Sequence, residues 1–250
     1  MRVLAAGAVA TTLLLAGCGG GTASPEDRTL TVSAAASLTD VFTELEARFE
    51  AADPGVDVVL NFAGSSDLSS QIVNGAPVDV FASADDSRMT VVTDAGLAEG
   101  EPQVFVTNRL QIAVAPGNPE GIDTFADLTD PEITLVVCAP QVPCGAATES
   151  VEAASGVTPA PVSEEPDVRS VLSKVTSGEA DAGLVYVTDV ISAGDQVDGV
   201  DFPESDAALN EYPIAALANA PQPELAAAFV ELVLSPEGAA VFETAGFGTP

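Results

Sequence analysis

The sequence predicts an α/β protein, with parallel or mixed sheets flanked by helices, and three observations predict it. Short runs with a period of two give way, several times along the chain, to apolar residues at helical spacing. The joints between them are small and polar, as at Ser37, Ser65-Ser66 and Cys144-Gly145. The 250 residues are 47% apolar without a long charged run, enough to bury a core in one large domain or two lobes.

The chain opens with a segment that reads as targeting rather than fold. Arg2 supplies a positive start and Val3 to Leu15 an apolar run too short to span a membrane convincingly. Leu15-Ala16-Gly17-Cys18 resembles a bacterial lipoprotein signal cut before a Cys that carries lipid; the alternative is a cleaved signal without lipid. Residues 1–18 are thus expected to direct export and residues 19–28, rich in Gly, Ser and Pro, to form a flexible tether. Lipid on Cys18 would hold the protein at the outer face of the cell membrane.

Leu30, Val32 and Ala34 alternate with Thr31 and Ser33 as in a buried strand, and Leu38, Val41, Phe42, Leu45 and Phe49 follow at helical spacing. Ser37, with Asp40 three residues on, matches an N-terminal cap. Val56 to Phe62 is a second strand, and Ala63 to Leu68 turns into a helix that stops at Asn74-Gly75. Val78 to Ala82 is a third strand, and Asp86 to Leu97 a helix closed near Gly96, with Asp85-Asp86 as its cap rather than a metal pair. Arg109 to Pro116 reads as a strand closed by Pro116-Gly117-Asn118-Pro119, and the passage into a second lobe is placed here. Within it, Ile133 to Cys138 and Ala182 to Val187 are strands, and Gly145 to Ala154 and Asp167 to Thr176 helices. Tyr212 to Leu217 is a strand returning to the first lobe, followed by helices through Gly246 with a restart at Ser235-Pro236-Glu237. The division expected is residues 29–108 with 213–250 in one lobe and 109–212 in the other. No internal repeat stands out.

A formal charge of −31 argues against nucleic-acid phosphate as a partner, since no basic patch exists to displace its counterions. The sequence contains no His, which removes His-based triads and metal sites and the usual general base. With Cys18 lipidated, Cys138 and Cys144 remain, and an oxidising compartment favours a disulfide between them over two free, hydrophobic thiols. Where strands run into helices, the first N–H groups of each helix lack intrahelical partners and favour negative charge. Several such starts around one cleft would suit an oxyanion, although every α/β protein has capped helices.

Beyond these features, Ala34-Ala35-Ala36-Ser37-Leu38-Thr39-Asp40, Phe62-Ala63-Gly64-Ser65-Ser66, Gly75 to Asp85, Asp167-Val168-Arg169, Gly183-Leu184-Val185-Tyr186 and Tyr212-Pro213-Ile214 resemble the molybdate-binding proteins of bacterial ABC importers. The similarity covers nearly all of the mature chain. It implies the two-lobed periplasmic-binding fold, type II-like, with two crossovers as a hinge, and delivery of molybdate, usually also tungstate, to a membrane permease. By position it implies that Ser37 and Ser65 each offer a hydroxyl and a backbone N–H, Val168 and Cys144 a backbone N–H, and Tyr186 its phenol. The metal is held only through its oxyanion, without direct ligands, and no cofactor is implied. Cys stands at 144 where relatives often have a small residue such as Ala, and a bridge to Cys138 would fix that loop. Ser37 is expected to give its hydroxyl to the anion rather than to its helix. Arg169 is left open between attracting an anion and a place on the helix surface, Lys174 is assigned to the surface, and Glu164-Glu165 to a solvated face.

The expectation is therefore a monomeric, lipid-anchored binding protein for molybdate or tungstate. Sulfate or another tetrahedral oxyanion is the rival ligand. An exported serine hydrolase using Ser37 or Ser65 is disfavoured by the absence of His and of a Gly-x-Ser-x-Gly elbow. A surface adhesion module is the remaining rival.

Overall fold

A computed structural model describes residues 28–250; the signal segment, Cys18 and the tether through residue 27 lie outside the described residues. The chain begins with β1 (Arg28–Ala35), α1 (Thr39–Ala52), β2 (Val56–Ala63), α2 (Ser65–Val73), β3 (Val80–Ala82), α3 (Asp86–Asp94) and β4 (Gln103–Asn108). It continues through β5 (Leu110–Val114), β6 (Leu135–Cys138), α4 (Pro143–Ser155), β7 (Ser163–Glu165), α5 (Val168–Thr176), β8 (Ala182–Tyr186), α6 (Val187–Ala193) and β9 (Asp198–Val200). It closes with β10 (Asn210–Ala216), α7 (Pro223–Leu234) and α8 (Pro236–Thr244).

The strands form two five-stranded mixed sheets, ordered β2-β1-β3-β10-β4 and β7-β6-β8-β5-β9. In the first, β1 is parallel to β2 and β3, while β10 runs antiparallel to β3 and β4. In the second, β6 is parallel to β7 and β8, while β5 runs antiparallel to β8 and β9. The pattern is the same in both: three parallel strands, then one antiparallel strand, then an edge. The chain passes from the first sheet to the second at Arg109 and returns over residues 201–209.

Each sheet is covered by helices, so its central strands are buried on both faces. Leu30, Val32 and Ala34 of β1 pack with Phe42 and Leu45 of α1 and with Phe229 and Phe242 of α7 and α8. The Phe42 ring meets Phe105, Phe229 and Phe242 at centroid distances of 6.2, 5.9 and 6.4 Å. Burying one such ring contributes roughly 1.5–3 kcal/mol. The other face of this sheet holds Leu68, Ile72, Phe81 and Met89, and the second sheet has its own core around Ile112, Leu135, Val171 and Leu184.

Several expectations are corrected. Arg28 belongs to β1 rather than to a tether, because its guanidinium pairs with both Asp53 oxygens at 3.0 and 2.9 Å. α4 starts at Pro143 rather than Gly145, since Pro fits a first helical position whose N–H has no intrahelical partner. β4, the short edge strands β7 and β9, and α6, which starts directly after β8, escape the sequence reading. Asp85 does cap α3, accepting from the Arg88 N–H at 2.8 Å, although the helix begins at Asp86.

Candidate functional site

The two sheets face each other across a small cavity at the carboxyl ends of β1, β2, β6 and β8. Ligands of open α/β sheets sit at such strand ends. Ser37, Ser65, Cys144, Val168 and Tyr186 all line this one cavity, joined by Gly64, Val142, Pro143, Asp167 and several alanines. Among the described residues no Lys or Arg lines it, and its acidic residue, Asp167, is occupied as the cap of α5, accepting from the N–H and hydroxyl of Ser170 at 2.9 and 2.8 Å.

Helix starts supply most of the wall. Ser65 is the first residue of α2, Val168 the first of α5, and Cys144 the second of α4 after Pro143. Their N–H groups precede the point at which a helix can satisfy its own donors. Ser37 sits in a 3-10 turn, Ala36–Leu38, between β1 and α1. It is not the cap of α1: no side chain caps that helix, and the Ser37 Oγ instead lies 3.0 Å from the Tyr212 hydroxyl. Ser65 Oγ accepts the Ala84 N–H at 3.0 Å, which leaves its own proton free to donate.

Tyr186 is 1% exposed, and among the described residues its hydroxyl has no hydrogen-bond partner. Leaving a buried hydroxyl unpaired costs about 1–3 kcal/mol, so an acceptor in the cavity would relieve it. Burial raises the phenol's pKa well above its ordinary value, so at neutral pH it is a donor. Its backbone N–H donates to Asp189 Oδ2 at 3.0 Å. Asp189 is itself buried, which pushes its pKa up to about 6 against the opposing pull of Arg169 and of that N–H.

Sulfur chemistry fixes another part of the wall. Cys138, at the end of β6, is bonded to Cys144, with their Cα atoms 5.7 Å apart. The bridge consumes the Cys144 thiol and leaves its main-chain N–H.

The lobes are closed on each other. Asp40 of α1 accepts from Arg169 at 2.7 Å and from Ser192 at 2.6 Å, both in the second lobe. Burial raises the Asp40 carboxyl, but the bonds from Ser192 and Arg169 outweigh it and lower its pKa. Arg169 Nε also stands 2.8 Å from Asp189 Oδ1, so its charge is spent on two carboxylates rather than on the cavity, which it does not line. Ser66 Oγ donates to the Gln141 carbonyl, and the Pro166 carbonyl oxygen stands where a Cβ added to Gly64 would be. Lys174 pairs with Glu179 at 2.6 Å on the surface. The sequence reading missed Tyr212, Asp189 and the Asp40–Arg169 pair; a Tyr in an apolar strand was a usable signal for the first, and nothing local marked the others.

Comparison with known proteins bears on the family and the fold. The profile of the bacterial extracellular solute-binding protein family matches residues 30–248. The molybdate-binding protein ModA of Mycobacterium tuberculosis H37Rv is 48% identical over 223 residues, spanning 89% of this chain and 85% of that protein. The periplasmic molybdate-binding protein of Azotobacter vinelandii matches in structure with a TM-score of 0.74 at 23% identity, over 88% of this chain and 99% of that one. The sulfate-binding protein SubI of Mycobacterium tuberculosis H37Rv has the same TM-score at 20% identity, over 88% and 86% of the two chains. At those identities the two structural likenesses speak for the fold. The family match over nearly all described residues, with a relative at 48% identity, means that the chain belongs to the bacterial extracellular solute-binding protein family, whose members are binding proteins and not enzymes.

Proposed function

We propose that this protein captures molybdate, and also tungstate, between its lobes and delivers it to the membrane permease of an ABC importer. The observation that carries the reading is one cavity lined from both lobes by neutral donors, with the Tyr186 hydroxyl buried and unpartnered among the described residues. In it Ser37 and Ser65 would give hydroxyl and main-chain donors, Cys144 and Val168 main-chain donors, and Tyr186 its phenol. A buried dianion without counter-charge needs its oxygens saturated in this way. The acidic surface does not forbid it, because salt screens exposed charges beyond about 8–10 Å. The 48% identity to a molybdate-binding protein supports this ligand over sulfate, whereas the fold is common to both.

The protein works in this reading as a monomer without a resident cofactor, exported and tethered by lipid on Cys18. Cys18→Ala should move it from the membrane fraction to the medium. For the ligand, the soluble domain is titrated with molybdate, tungstate, sulfate and phosphate while heat and melting temperature are followed. Molybdate and tungstate should bind and stabilise. Stabilisation by sulfate alone transfers the reading to sulfate, and no response to any oxyanion overturns it.

A further inference from the structure

We propose that Tyr212 is a positioning residue that turns the Ser37 hydroxyl into a dedicated donor toward the cavity. The inference rests on the oxyanion reading of that cavity and adds a residue that does not itself line it.

Tyr212 lies on β10, fully buried, with its hydroxyl 3.0 Å from Ser37 Oγ. One proton lies between those oxygens, and its direction decides what Ser37 presents to the cavity. If Tyr212 donates, its O–H is satisfied and the Ser37 proton is free for a ligand. If Ser37 donates, the phenol turns its proton toward its other neighbours, Asn108 and Tyr186, and the cavity meets only the lone pairs of Ser37, which repel an anion. With an anion in the cavity, that repulsion favours the first direction. Burial pushes the Tyr212 phenol up, so it keeps the proton it would donate.

The phenol is also held in place. Its ring is packed edge-on by Phe105 and Phe247 at 6.4 and 5.7 Å, and β10 carries a register shift between Tyr212 and Pro213. The same ring meets Tyr186 edge-on at 6.1 Å, so one residue backs both a hydroxyl of the first lobe and a phenol of the second. The two tyrosines are the whole complement of this chain.

The test is a double-mutant cycle read by molybdate calorimetry, with unliganded melting recorded in parallel. Tyr212→Phe keeps the ring and should weaken molybdate about 3- to 10-fold when Ser37 is present. In the Ser37→Ala background the same change should cost under about twofold, because the proton it directs is gone. Equal losses in both backgrounds, or no loss in either, overturn the assignment. A wild type that binds no oxyanion overturns the underlying reading instead. Should Tyr212→Phe not fold, site-specific 3-fluorotyrosine at 212 keeps the ring and makes a stronger donor. Tighter molybdate binding supports the assignment, and unchanged or weaker binding overturns it.

Discussion

Tyr186 and Asp189 are both fully buried titratable groups whose pKa burial raises, and they act through one short segment. Tyr186→Phe removes a phenol that has no partner among the described residues. Its unliganded melting temperature should therefore not fall, while molybdate affinity should drop by about 1.5–3 kcal/mol, the value of a bond to a charged acceptor, read by calorimetry. Asp189 titrates near 6 when folded against an ordinary 3.8. The folded state thus holds that proton more tightly, and the stabilisation this linkage provides is complete below about pH 4 and lost as pH rises through about 6. Asp189→Asn should remove that component, so the difference in unfolding free energy between variant and wild type grows in the variant's favour across this interval. Urea unfolding at stepped pH checks the sign.

Among the elements, the loop between β6 and α4 combines a covalent staple with a helix start. Replacing both Cys138 and Cys144 by Ala should cost about 2 kcal/mol of unfolding free energy, as expected for a short closed loop. Molybdate affinity should fall less than in Tyr186→Phe, because the Cys144 N–H survives; urea unfolding and calorimetry on one sample separate the two effects. Elements with clear periodicity, such as β1, α1, β2, α2 and α5, were legible in the sequence because local pattern and final environment agree. β7 and β9 were not, being three-residue edge strands defined by their neighbours. α6 was hidden because it follows β8 without a polar break. Ser37 shows why site geometry is harder to read than site membership. Its place beside the cavity follows from a strand-to-helix joint, but its side-chain partner lies 175 residues away, and that of Asp40 lies 129 residues away. No local spacing encodes either.

At the scale of the whole molecule, affinity depends on how completely the lobes close. Gly64 is a steric control on that closure, with the Pro166 carbonyl standing where a Cβ would be. Gly64→Ala should hold the lobes apart, and apparent Kd should rise by the same factor as the closed fraction falls. About tenfold or more weaker molybdate binding, with small-angle scattering that no longer contracts on adding ligand, is the expected outcome; unchanged affinity would show that the contact yields. The shared strand order has a consequence for how the chain matures. The second sheet is built from one continuous stretch, β5 to β9, and can assemble by itself. In the first sheet β3 and β4 are joined only through β10. That sheet therefore stays in two pieces until residues 210–216 arrive, and its completion waits on a contact of high sequence separation, the slow kind to form. Tyr212 arrives with that same strand, so the nascent protein gains its last sheet pairing and the partner of Ser37 in a single late step.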